Sequence, residues 1–141
     1  MEKLVYKAKK LDDLVQISKK FIEDTTSRKV YAFDGDMGVG KTTFIKQICK
    51  AMGIEEEASS PTYGFVNEYF SPMFGEIYHF DCYRIQNEME AYDIGIEEYL
   101  FGDKYVFIEW PKNIDNLLPE NTVWVKITAN EDNERTIEIE L

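Results

Sequence analysis

Eight residues constrain this chain more than any others. Gly35-Asp36-Met37-Gly38-Val39-Gly40-Lys41-Thr42 follows the spacing G-x-x-x-x-G-K-[ST], the signature of a phosphate-cradling P-loop. The motif carries weight only between a strand and a helix, and both are legible here. Val30 to Asp34 is strand-like. After the loop, Phe44, Ile45, Ile48, Cys49 and Met52 fall on one helical face, and Gly53 suits the residue just past the helix end. Successive backbone N–H groups of such a loop converge into an anion nest. The helix N-terminus behind it adds roughly half a positive charge. Asp36, Met37, Gly38, Val39, Gly40, Lys41, Thr42 and Thr43 are therefore the candidate nucleotide-binding residues. Lys41 is placed to reach the outer phosphates and the Thr42 hydroxyl to ligate Mg²⁺. The expected ligand is a nucleoside diphosphate or triphosphate.

The surrounding pattern alternates strand and helix. Val5 to Ala8 reads as a short edge strand. Leu11, Leu14, Val15, Ser18, Phe21 and Ile22 mark a helix from about Leu11 to Asp24, with Lys19 and Lys20 toward its C-terminal end. Ile54 to Thr62 is a polar loop, long enough for a functional segment, and Pro61 holds Ser60 out of helical geometry. Tyr63 to Phe70 and Glu76 to Asp81 form a hairpin around Ser71 to Gly75. Glu88 to Phe101 reads as two short helices broken at Gly95. Lys104 to Ile108 is a buried strand, and Pro111 to Pro119 a helix or turn. The strands containing Val123, Val125, Ile127 and Ile137, Ile139, Leu141 make a C-terminal hairpin across Asn130 to Glu134. This order predicts one α/β domain over residues 1–141. Its mixed sheet is parallel at the P-loop, antiparallel at the margins and flanked by helices.

At 141 residues there is room for one core, and 44% apolar content supplies it. The net charge of −11 argues against sequence-independent gripping of nucleic acid, which needs cations to neutralise phosphates. It suits docking on a basic protein, and it suits plain solubility equally well. Cys49 and Cys82 lie far apart, without metal-ligand spacing, and read as reduced thiols of a cytoplasmic protein rather than a metal cluster. No apolar run has the length of a signal sequence or a membrane span.

A P-loop needs a carboxylate near its Mg²⁺, commonly at the end of a buried strand. Glu109 follows four consecutive apolar residues and is the candidate metal acid. Trp110, next to it, either packs on the nucleotide site or fills the core. His79-Phe80-Asp81-Cys82-Tyr83-Arg84 is a second polar cluster, with His79, Asp81 and Tyr83 on one face by alternation. Asp81 is the candidate for metal contact or water positioning. His79, the chain's single histidine, fits a structural or a catalytic place. Arg84 is placed to pair with Asp81 or reach a phosphate. The Thr62 hydroxyl fits a switch-type contact to Mg²⁺ or an ordinary turn. Lys41, Asp81, Glu109 and Thr62 are thus the candidate catalytic set.

The P-loop, Ser60-Pro61-Thr62 with Val66-Asn67-Glu68-Tyr69, His79 to Arg84, and Ile108-Glu109-Trp110 occur in that order. Together they resemble the TsaE (YjeE) family over about Leu11 to Pro111. This is the ATPase component of bacterial tRNA N6-threonylcarbamoyladenosine biosynthesis. The resemblance implies a weak, partner-dependent ATPase that binds ATP and Mg²⁺ and supports repeated turnover of TsaD and TsaB type subunits. Contact with tRNA would then be indirect, through the complex. It also implies that Lys41 and Thr42 bind phosphate and metal, Glu109 serves the metal, and Asp81 and Thr62 assist hydrolysis. Met37 and Val39 stand where the family usually has Leu and Ala, and Cys82 where it has Leu; all three remain apolar. The segment after Pro111 carries no matching motif.

Two enzymatic rivals fit less well, and a third, non-hydrolytic reading stays open. A small-molecule or nucleotide kinase uses several arginines to clamp the transferred phosphate, and Arg28, Arg84 and Arg135 are the whole supply. A GTPase lacks its N-K-x-D base-reading motif here. A nucleotide-sensing adaptor differs mainly in whether hydrolysis matters.

Overall fold

The computed structural model describes residues 3–25, 27–36, 38–55 and 65–141. Among the described residues seven strands form one sheet: β1 (Lys3–Ala8), β2 (Val30–Asp34), β3 (Val66–Ser71), β4 (Gly75–Asp81), β5 (Tyr105–Glu109), β6 (Val123–Ala129) and β7 (Arg135–Glu140). The helices are α1 (Asp13–Asp24), α2 (Lys41–Ala51), α3 (Glu88–Asp93) and α4 (Ile96–Leu100), with 3-10 turns at Pro111–Leu117 and Glu131–Asn133. Strand order is β1-β7-β6-β2-β5-β4-β3. The pairs β6–β2, β2–β5 and β5–β4 are parallel; β1–β7, β7–β6 and β4–β3 are antiparallel. The mixed sheet with antiparallel hairpins at both margins is the expected one.

Alternation on the central strands explains the layering. On β2, Tyr31 and Phe33 face α1 and α2, where they meet Phe21, Phe44 and Phe107. Val30 on β2 and Val106 and Ile108 on β5 face the opposite side. There they pack with Phe80, Ile96, Leu100 and Ile114. A strand buried on both faces has no polar side to show, which is why β5 reads as a continuous apolar run. Five fully buried phenylalanines, Phe21, Phe33, Phe44, Phe80 and Phe107, dominate the two cores. Each contributes about 1.5–3 kcal/mol through burial.

Local details refine the sequence reading. Helix α1 begins at Asp13, whose carboxylate accepts the Lys9 and Lys10 N–H groups. Leu11 is 70% exposed and Val15 also faces outward, so the buried stripe is Leu14, Ser18 and Phe21. The last turn of α1 holds no cation, because Lys20 sits one turn earlier and pairs with Asp24 at 4.0 Å. Helix α2 ends as Gly53 predicts. Gly53 takes φ +85°, its N–H reaches the Lys50 carbonyl, and Ile54 N–H returns to the Cys49 carbonyl.

The parallel strands β2, β5 and β4 end together, bringing Asp34, Glu109 and Asp81 to one edge of the sheet. The loop after β2 runs along this edge. Carboxyl ends of parallel strands are where such sheets hold ligands.

Candidate functional site

The loop between β2 and α2 owes its shape to glycines with left-handed backbone. Gly38 and Gly40 have φ +78° and +110°, and Gly40 is the residue from which α2 starts. Gly35 answers a different need. A Cβ there would lie 2.8 Å from the Ile127 carbonyl oxygen of β6 and 2.9 Å from Val39 Cγ1. The first P-loop glycine is therefore a close-approach residue as well as a turn residue.

Lys41 is 5% exposed. Its Nζ donates to the Gly35 carbonyl at 2.5 Å and lies 3.4 Å from the centroid of the Trp110 ring. Burial lowers its pKa, and Glu109, Asp34, Asp81 and Asp36 oppose that shift. The question about Trp110 is settled by the backbone. Trp110 adopts φ 57°, ψ 55°, a strained conformation for a large residue before proline. The chain thereby turns sharply after Glu109, lays the indole over Lys41 and sets it 5.0 Å from the Tyr83 ring. Trp110 faces the site and also packs against the second core.

Thr42 Oγ1 donates to Glu109 Oε1 at 2.9 Å, across 67 residues of sequence. Glu109 is 3% exposed, and its other oxygen, Oε2, meets His79 Nε2 at 2.7 Å. His79 is fully buried, and its Nδ1 has no hydrogen-bond partner among the described residues. The Glu109 carbonyl accepts the Cys82 N–H at 3.0 Å, which fixes the end of β5 against the end of β4. Two oxygens, Thr42 Oγ1 and Glu109 Oε1, thus sit at the separation of neighbouring ligands in an octahedral shell of about 2.1 Å radius. Hard oxygen donors of this kind fit Mg²⁺. Among the described residues, no group of three or more His, Cys, Asp or Glu is arranged to hold a metal. A cation here would take its remaining ligands from phosphate and water, the usual habit of Mg²⁺.

Asp81 pairs with Glu109 in strand register and is half-buried. It lines the same cleft, of about 290 Å³, as Gly38, Gly40, Lys41, Thr42 and Glu109. Its Oδ1 accepts the Tyr83 N–H at 3.0 Å. Arg84 is exposed rather than tied to that carboxylate. Tyr83 lies beyond the end of β4 and is exposed too, so the alternation that groups His79 with Asp81 stops there. Thr43 belongs to the cleft rim. Asp36 and Val39 lie on the opposite flank of the loop, with Lys112 and Lys126. Met37 and Thr62 lie outside the described residues. The structure thus brings together Lys41, Thr42, Asp81 and Glu109 from the expected set.

Three neighbours stand outside the expected site set: His79 and Trp110, each of which sequence leaves between two places, and Arg135, which it does not connect with the site. His79 reaches Glu109 because β4 and β5 are parallel neighbours, an adjacency that local pattern does not encode. Trp110 depends on one backbone turn. Arg135, the first residue of β7, donates from Nε to the Val39 carbonyl at 2.8 Å; its only sequence signal is the scarcity of arginine. A further cleft of about 520 Å³ opens beside the P-loop between Lys9, Lys10, Leu11, Thr43, Asn133 and Arg135, floored by Phe44 and Ile137. Both cysteine thiols are buried, and burial pushes each pKa up to about 12, which leaves them protonated and inert.

The chain is similar to known proteins in sequence and in fold. Residues 8–137 match the family model for threonylcarbamoyl adenosine biosynthesis protein TsaE. The tRNA threonylcarbamoyladenosine biosynthesis protein TsaE of Bacillus subtilis is 36% identical over 108 residues, spanning 77% of this chain and 66% of that protein. Its namesake in Rickettsia bellii is 33% identical over 129 residues, spanning 91% and 88%. The crystal structure of Bacillus subtilis YdiB superposes with a TM-score of 0.76 at 25% identity, covering 98% of this chain and 84% of that one.

Proposed function

The chain belongs to the TsaE family, and from that premise we propose that it is the ATP-hydrolysing subunit of tRNA N6-threonylcarbamoyladenosine biosynthesis. On this reading it is a weak ATPase alone and works in the cytoplasm with TsaD and TsaB type partners, meeting tRNA through them. The observation that carries the chemistry is the 2.9 Å contact between Thr42 Oγ1 and Glu109 Oε1 at the mouth of the P-loop. It joins a phosphate nest to a buried acid, which is what a metal–nucleotide site requires.

Backbone N–H groups from Gly38 onward receive the phosphates. Lys41 exchanges its Gly35 and Trp110 contacts for phosphate oxygens, at little cost because it is already desolvated. Thr42 and Glu109 would hold Mg²⁺, which supplies charge neutralisation across the outer phosphates when bound. His79 keeps the Glu109 carboxylate facing Thr42. Asp81 orients water at the open side of the cleft, and Trp110 limits bulk solvent there. The base occupies the cleft between Lys9, Leu11 and Asn133. A kinase reading finds no arginine clamp among the described residues: Arg28 donates to the Asn121 carbonyl, away from the P-loop, Arg135 to the Val39 carbonyl, and Arg84 is exposed. Among the described residues no helix is long and apolar enough to cross a membrane.

Phosphate release from ATP tests this directly. We expect slow, Mg²⁺-dependent hydrolysis, accelerated by the TsaD–TsaB pair, and loss of nucleotide binding or turnover in Lys41→Ala. Normal turnover in that variant, or efficient phosphotransfer to a nucleoside or sugar, would refute the reading.

A further inference from the structure

We infer that Arg135 is a positioning residue for phosphate binding, acting through the Val39 carbonyl to aim the Gly40 N–H into the P-loop; the inference rests on the P-loop reading above. Arg135 opens β7 and is half-buried. Its Nε donates to Val39 O at 2.8 Å and its Nη1 to Asn133 O at 3.1 Å. One guanidinium therefore ties the phosphate loop to the β6–β7 turn, 96 residues away in sequence.

The consequence follows from peptide geometry. In a planar trans peptide, the carbonyl of one residue and the N–H of the next point in opposite directions. Holding Val39 C=O toward Arg135 directs Gly40 N–H the other way, to the interior of the loop. Local sterics constrain that orientation from the Val39 side alone. The peptide lies between Val39 and Gly40; Gly40 takes φ +110°, and a Cβ there would meet nothing within 4 Å. A glycine on one side leaves the peptide more room to turn than two Cβ-bearing residues would, and the distant donor fixes its direction. Arginine suits this task, since its rigid fork serves two carbonyls at once while an ammonium is a point donor. The same hairpin abuts the loop at Gly35, against the Ile127 carbonyl. The β6–β7 hairpin is thus the brace on which the nest is set.

Arg135 also lines the cleft assigned to the base, so the experiment must separate a phosphate-side effect from a base-side one. A fluorescent ADP analogue bound to the parent chain, Arg135→Ala and Arg135→Lys is displaced with ADP and with inorganic pyrophosphate, well below each protein's melting temperature. We expect Arg135→Ala to weaken ADP and pyrophosphate by a common factor of about ten, the usual cost of one charge-assisted hydrogen bond. Arg135→Lys, which retains one bond, should weaken both by about threefold. Should the alanine variant not fold, the lysine variant carries the comparison alone. Weaker ADP with unchanged pyrophosphate would assign Arg135 to the base and overturn the inference, as would unchanged affinity for both. A parent chain that binds neither ligand would sink the P-loop reading, and this inference with it; effects confined to the variants cannot produce that result.

Discussion

The two flanks of the P-loop are built by different means. On the β4–β5 side, contacts run between side chains: Thr42 to Glu109, Glu109 to His79, Lys41 over Trp110. On the β6–β7 side they run to the backbone, with Gly35 pressed on the Ile127 carbonyl and Arg135 on the Val39 carbonyl. The acidic flank sets charge and metal chemistry, for which residue identity is decisive. The hairpin flank sets where the loop's amides point, for which reach and geometry are decisive. Substitutions on the acidic flank should therefore change catalysis more than nucleotide affinity, and those on the hairpin flank the reverse.

Glu109→Gln gives the largest expected effect. It keeps the shape and an acceptor for Thr42 but removes the charge facing the metal site. Loss of one preorganised electrostatic contact costs about 10²–10³ in kcat, while ADP affinity should change by less than about threefold. Single-turnover hydrolysis beside equilibrium binding measures both. Equal losses in the two would erase the distinction between the flanks.

Gly35→Ala attacks the other flank. The added methyl must displace the Ile127 carbonyl or Val39, at a backbone with φ +156°. A cost of about 1–3 kcal/mol corresponds to a melting temperature lower by roughly 3–10 °C for a chain of this size. Nucleotide affinity should fall about tenfold, with kcat for bound nucleotide little altered. An unchanged affinity in a folded variant would show that the hairpin does not brace the nest.

The same contrast governs what the sequence discloses. The β2–loop–α2 unit is legible from Val30 to Gly53 because spacing, periodicity and end signals all act over a few residues. Glu109 is legible because a doubly buried strand must read as apolar up to its functional end. Strand order is not, since the placement of β5 between β2 and β4 is decided by packing across the whole chain. With it goes the His79–Glu109 contact, which exists only because β4 and β5 are neighbours. Leu11 matches the helical period of α1, yet the helix starts two residues later and leaves it at the cleft. Arg135 escapes because its target is a carbonyl, which every residue carries. Motif reading thus finds the groups that do chemistry and misses those that hold them.

His79 lies on that boundary, and it gives the smallest of these effects. It is a side chain on the acidic flank whose part is to hold another side chain. His79→Leu leaves Glu109 Oε2 buried without its donor, a loss of about 1–3 kcal/mol in stability. The carboxylate is then free to turn from Thr42, so half-saturation by Mg²⁺ should rise a fewfold, about the effect of losing an outer partner of a metal ligand. His79→Gln restores an amide donor near the original Nε2 and should return the Mg²⁺ requirement to within about twofold of the parent, even where the poorer fit keeps the melting temperature low. Mg²⁺-dependent binding of a fluorescent ADP analogue reads the metal requirement without relying on turnover. If His79 only fills the core, both variants lose stability and neither shifts the Mg²⁺ curve. If it orients the acid, the leucine variant shifts the curve and the glutamine variant does not, because only the glutamine keeps Glu109 turned toward Thr42.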